Sequence, residues 1–212
     1  MVEGLNAEVS SVRLRAVMAA GTSADPGLLE VLVARCAVEP DFFVRDMLTW
    51  ALTRLPAEIT VPRLRVELGS ESAQARGQAL HTLSKIGDRS VYEAVGPRLL
   101  HDGDDEVART AWRTAVALAP ESERAALARE LAVELGRGDR ARRLSLSRAL
   151  VGLGEVIEPV LAGARESADP AVREHAAATE VLLRDPEAGF DAAVHEASRM
   201  VALGPGVPGA DR

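Results

Sequence analysis

Apolar residues along this chain recur three and four positions apart, the period of one helical face. The pattern comes in copies that align on an arginine: Arg13, Arg45, Arg76, Arg109, Arg143 and Arg173, at intervals of 32, 31, 33, 34 and 30 residues. Four residues before each arginine stand Val9, Asp41, Ser72, Asp105, Asp139 and Asp169. Six after come Ala19, Ala51, Thr82, Ala115, Ala149 and Thr179; seven after come Ala20, Leu52, Leu83, Val116, Leu150 and Glu180. Leu55, Ile86, Ala119, Leu153 and Leu183 follow at ten. Offsets of three, six to seven and ten make one buried stripe, and the small residue at six lets a neighbouring helix approach. The first of these helices is predicted over Ala7–Ala20.

Second helical segments are predicted between them, over Asp25–Val38, Ala57–Leu68, Ser90–Leu100, Ser122–Leu135 and Glu155–Glu166. Gly21, Asp25-Pro26, Pro40-Asp41, Pro56, Gly69, Gly87-Asp88, Pro120, Gly136, Gly154 and Asp169-Pro170 mark the boundaries. Asp-Pro opens a helix, with Asp as N-cap and Pro in the first turn; Gly ends one in the left-handed conformation. Each unit is therefore a helical hairpin. No alternating apolar pattern predicts a sheet. A hairpin cannot bury both faces alone, so the units must stack. The expectation is an all-α fold: a right-handed α-solenoid of about six hairpins, as a single domain over 1–203. It would open on a half-repeat and close on a capping helix, Glu187–Leu203, with a disordered tail over 204–212.

The repeated Asp…(Val/Ala)-Arg…Ala-Leu…Leu-Gly pattern resembles HEAT repeats of the short kind found in phycobilin-lyase-like proteins. Asp139…Arg143…Ala149-Leu150…Leu153-Gly154 and Asp41…Val44-Arg45…Ala51-Leu52 carry it best, and it covers about residues 7–184. By that resemblance Asp41/Arg45, Asp105/Arg109, Asp139/Arg143 and Asp169/Arg173 form a structural ladder between adjacent repeats. The arginine-bearing helices would line a concave face.

Composition narrows the chemistry. Aromatic residues are 3% of 212, and the net charge is −7 with one lysine, Lys85. An acidic chain gains little from phosphate counterion release. The one basic cluster, Arg137, Arg140, Arg142, Arg143 and Arg148, faces an acidic preceding repeat (Asp102, Asp104, Asp105, Glu106), which argues against a nucleic-acid partner. The lone Cys36 lies among apolar residues and reads as a buried structural thiol. No Gly-rich phosphate loop or nucleophile elbow occurs. HEAT-like deoxyhypusine hydroxylases hold iron through several His-Glu pairs; of His81, His101, His175 and His195 only His195 is followed by Glu. No metal, cofactor or catalytic residue is expected. The N-terminal residues carry neither a basic region nor an apolar run, and no stretch is long enough to span a membrane; the expectation is a cytoplasmic protein.

What remains is the face opposite the core stripe. Five residues after each arginine lie Met18, Trp50, His81, Thr114, Arg148 and Ala178, and one after comes Asp46 in the second copy. Trp and Arg are favoured at interfaces. Asp46, Trp50, His81, Thr114 and Arg148 are thus the candidate binding residues of a non-catalytic scaffold for a protein or peptide partner. Alternatives are small-molecule or lyase-like chaperone binding, after the phycobilin lyases, and nucleic-acid binding after HEAT-like glycosylases.

Overall fold

The computed structural model describes residues 2–185 together with Val194, His195 and Ser198. All regular structure among them is helical; no strand occurs. The capping helix expected over Glu187–Leu203 and the tail over 204–212 lie, apart from those three positions, outside the described residues. No helix among the described residues is long and apolar enough to cross a membrane. By its internal contacts the chain forms two compact units, Met1–Leu118 and Ala119–Arg212.

The first unit is built on four arginine-bearing helices: α2 (Ser10–Ser23), α4 (Phe42–Thr53), α6 (Ala73–Ile86) and α8 (Asp105–Leu118). α4 packs between α2 and α6, and α6 between α4 and α8. The short α1 (Val2–Leu5) packs on α2. Backing them are α3 (Leu29–Cys36), α5 (Ala57–Glu67) and α7 (Pro97–Leu100). In the second unit α9 (Arg124–Ala132), α10 (Arg140–Val151), α11 (Glu158–Arg165) and α12 (Pro170–Arg184) pack together. Of the anticipated core stripes Ala20, Ala51, Leu52, Thr82, Leu83, Ala115, Ala149, Leu150 and Thr179 are buried, whereas Ala19 is exposed and Ile86, Val116, Glu180 and Leu183 are half-buried. Trp112 is fully buried, with its indole N–H donating to the Leu100 carbonyl at 2.8 Å.

The segments expected over Asp25–Val38, Ser122–Leu135 and Glu155–Glu166 each open on a 3-10 turn before a shorter α-helix, and three further boundaries differ from the sequence expectation. α2 begins at Ser10 rather than Ala7, because the carbonyls of Ala7 and Glu8 are held by Arg13 as part of the preceding turn. Gly21 does not end α2; it is buried within it, and Ala24 supplies the left-handed terminus at φ 48°. Ser90–Leu100 is not one helix but a 3-10 turn over Arg89–Ala94 followed by α7. Pro97 cannot donate to a preceding helix and forces Gly96 extended (ψ −178°).

Asp41, Arg45, Asp139, Arg143, Asp169 and Arg173, expected in an Asp–Arg ladder between repeats, bond to backbone within their own turns. They organise the turn before each helix. Asp41, Ser72, Asp139 and Asp169 accept from the first backbone N–H groups of α4, α6, α10 and α12. The arginine four residues on donates back to the carbonyls of that same turn: Arg45 to Glu39 and Pro40, Arg76 to Ser70 and Glu71, Arg173 to Ser167 and Ala168. Arg143 reaches Gly136 in the same way. Arg109 differs, pairing with Glu106 on its own helix. α8 is also capped one residue earlier than the alignment implied, by Asp104 rather than Asp105.

Links between repeats come from residues outside the four expected pairs. Arg13 makes a two-pronged ion pair with Glu39 at 2.7 Å, and Arg76 one with Asp102 at 2.8 Å, each 26 residues further on. Glu39 also accepts from Arg35, and its side chain is fully buried. Burial alone would raise the Glu39 pKa; hydrogen bonds from Arg13, the Asp41 amide and Arg35 outweigh it and hold it near 2. Small hydroxyls tie neighbouring helices: Thr49 to Thr82 at 3.2 Å, and Ser147 to Thr179 at 2.8 Å. His175, buried beside Ser147, accepts the Gly136 N–H at Nδ1, which leaves the proton on Nε2, 3.0 Å from the Arg143 carbonyl. Burial pushes its pKa down to about 4. At the far end of this unit Val194 packs on the cluster of Ala177, Ala178 and Leu182, and the Ser198 hydroxyl donates to Glu174.

Two stability effects follow. Glu39→Gln strips the counter-charge from the buried Arg13 and the half-buried Arg35 and is expected to cost about 3 kcal/mol in denaturant unfolding. Because the folded Glu39 pKa is depressed, its contribution is present above the unfolded value of about 4.3 and fades as pH falls towards 2. The variant should lack that acid-dependent loss. For His175 the neutral form is the folded one. The unfolded chain takes up a proton that the folded one refuses, so stability should fall as pH drops from about 6.5 to about 4. Nitrogen-15 NMR should show an Nε2–H imidazole titrating near pH 4; titration near 6.5 would contradict the burial.

Candidate binding groove

Equal turns set equal helix registers, so residues at one distance from the cap line one face. Nine residues after the caps of α4 and α6 stand Trp50 and His81, and nine after Asp104 stands Arg113. With Met18, nine after Val9, these make the outer row of the first unit, in which His81 is half-buried and the other three are exposed. Thr114, placed in this row by sequence, is 1% exposed. Its hydroxyl lies 2.8 Å from the Thr110 carbonyl and 3.2 Å from that of Leu80. The one-residue difference in the α8 cap turns it about 100° into the core, and Arg113 takes its place.

Along this face α4, α6 and α8 enclose an open groove of about 860 Å³. One end, at the start of the helices, carries Phe42, Gln74, Asp104 and Glu106; the middle has Arg45, Asp46, Gly77, Val107 and Thr110; the other end has His81, Ser84, Lys85 and Arg113. Of the sequence candidates the structure thus brings Asp46 and His81 together here. Trp50 does not line the groove. Its ring lies against the α2 backbone, where a Cβ on Gly21 would meet it at 2.2 Å, and 37% of it stays exposed. Arg148 is an exposed residue of α10 in the second unit.

Several groove groups are already committed. Gln78 Nε2 donates to the Arg45 carbonyl and to Thr49, locking α6 to α4. Arg45 is held by its turn carbonyls and lies over the Phe42 ring at 5.9 Å. Burial first, then the charges of Lys85 and Arg113, pushes the His81 pKa below its ordinary value, while Asp46 opposes them. Burial and neighbouring Arg109 act on Arg113 in the same direction. Phe42 and its edge-on neighbour Phe43, 65% and 71% exposed, stand at the aromatic end.

Other features carry less chemistry. Among the described residues no group of three or more His, Cys, Asp or Glu side chains converges as a metal site. Cys36 is buried and its thiol is pushed up to about 12, mainly by that burial, so it is no nucleophile. In the basic cluster Arg137 and Arg142 both bind the buried Glu134, and Arg143 its turn carbonyl. Much of that charge is therefore spent inside the fold. Two shallower depressions of about 400 Å³ each lie beside α5.

No family profile matches this chain, and no curated protein does. Among solved structures it is similar to an engineered protein, at 20% identity with a TM-score of 0.49 over 92% of this chain and 95% of that one. It is also similar to human deoxyhypusine hydroxylase in complex with glycerol, at 17% identity with a TM-score of 0.46 over 96% and 95%. Likenesses this distant decide neither family nor activity.

Gly77 sits mid-helix on the groove floor without a packing reason: a Cβ there would meet only Val107, at 3.9 Å. Gly77→Ala should therefore stabilise the chain by about 0.5–1 kcal/mol, read as a raised urea midpoint with unchanged slope.

Proposed function

We propose that this chain is a HEAT-type helical repeat protein that binds a segment of another protein in the α4–α6–α8 groove and performs no chemistry on it. The observation that carries this reading is the groove itself. It offers an open floor with a glycine on it, the exposed Phe42 at one end and polar side chains along its walls. The core columns hold small and aliphatic residues, whereas the outer row changes from Met18 to Trp50, His81 and Arg113. Such a varied, amphipathic surface suits recognition through a few anchors. The Ser84 hydroxyl, one helical turn from His81 in the groove, donates to the His81 backbone carbonyl. A glycine facing a groove lets a bound backbone approach closely.

Selection from a random peptide-display library on the immobilised chain tests this. Recovered peptides should lose at least tenfold in affinity on Gly77→Trp, which fills the groove floor, with the circular dichroism unchanged. If every recovered peptide binds the variant as well as the wild type, the groove is not the site.

A further inference from the structure

Resting on that groove, its two ends differ in charge in a way that selects an occupant. At the start of the helices Asp104 is spent capping α8, and Glu106 on Arg109. Arg45 is spent on its turn. At the other end Lys85 and Arg113 have no carboxylate partner among the described residues; Arg113 donates only sideways, to Thr110. His81 feels both of them and, with opposite sign, Asp46, the one groove carboxylate that neither caps a helix nor pairs with an arginine. In a chain of net charge −7 holding a single lysine, two uncompensated cations and an imidazole at one end of a groove are a local reversal of sign.

We propose that the His81–Lys85–Arg113 end of the groove is a carboxylate-binding subsite, and that its occupant is an acidic segment of a partner protein. The segment's backbone crosses Gly77, and its apolar side chains rest towards Phe42. From Gln74 to Lys85 the α6 floor runs about 16 Å at the helical rise, enough for about five residues of extended chain. An incoming carboxylate pairs with Lys85 and with the planar guanidinium of Arg113, which can grip both oxygens. It also favours the protonated form of His81, whose charge the two cations otherwise oppose. Charge complementarity chooses this occupant over a basic peptide, which would place like charges at Lys85 and Arg113.

Fluorescence anisotropy with the full chain tests it, using a labelled Ala-Leu-Glu-Glu-Leu-Glu peptide and its Gln counterpart alongside the display-selected peptides. The acidic peptide should bind at least tenfold tighter than the Gln peptide, and less tightly as salt rises. Lys85→Glu/Arg113→Glu, both at exposed positions, should remove that preference. Arg129→Glu, an exposed change in the second unit, should leave it intact. Equal affinity for the two peptides, or indifference to the double reversal, overturns the proposal. So does tighter binding of a single-stranded DNA 12-mer that is lost in the same variant, since the cluster would then serve a nucleic acid. Peptides that need an open Gly77 but ignore the reversal would remove the acidic occupant and leave the groove reading standing. If no peptide responds to Gly77→Trp, both fall.

Discussion

The structure depends on how each interhelical turn is closed. A helix that starts inside a packed array leaves its first N–H groups without partners, and the turn before it leaves carbonyls in the same state. Here one short sequence phrase serves both. The Asp or Ser cap takes the N–H groups, and the arginine one helical turn later folds back onto the carbonyls five and six residues before it. Hydrogen bonds to a charged group contribute roughly 1.5–3 kcal/mol each, and an unmet buried polar group costs about as much. That is reason enough for the phrase to recur every 30 to 34 residues. Turns closed alike give helices that start alike.

From that common start the division of labour around each helix follows. Positions facing the neighbouring repeat must be small or aliphatic, and where they are polar they are satisfied in pairs, as Thr49 is with Thr82 and Ser147 with Thr179. In the first unit the positions nine residues past the cap are Met18, Trp50, His81 and Arg113, a varied row in which His81 is half-buried and the others are exposed, whereas Ala178 at the same place in α12 is buried. Gly21 is the cost of one of them: α2 gives up a side chain where the Trp50 ring approaches.

Buried charge stitches the repeats in register. Arg13 with Glu39, and Arg76 with Asp102, join the head of one helix to the turn before the next. Glu39 is the most heavily used, with two arginines and the Asp41 amide converging on its carboxylate. A buried carboxylate without them would cost more than its packing returns, so cap, clamp and stitch stand or fall together.

The sequence alone determined what is local or periodic. Helical hairpins, most caps, the left-handed glycines at Gly87, Gly136 and Gly154, and the burial of Cys36 all follow from short-range chemistry and a period of about 32. Asp46 and His81 were legible as groove residues for the same reason. Only the tertiary structure decided the rest. Asp104 and Asp105 are equally good caps on paper, and packing chose the first; that one residue turns Thr114 inward and sets Arg113 on the surface. The partners of Arg13 and Arg76 lie 26 residues away, beyond any local rule, and Arg45, Arg143 and Arg173, which the resemblance assigned to an aspartate ladder, hold turn carbonyls. Gly21 reads as a helix stop because its neighbours in sequence permit one, and it is a helix interior because Trp50, 29 positions on, needs the space. Periodicity fixes which face a residue is near, while only contact between helices fixes the last 100° of rotation.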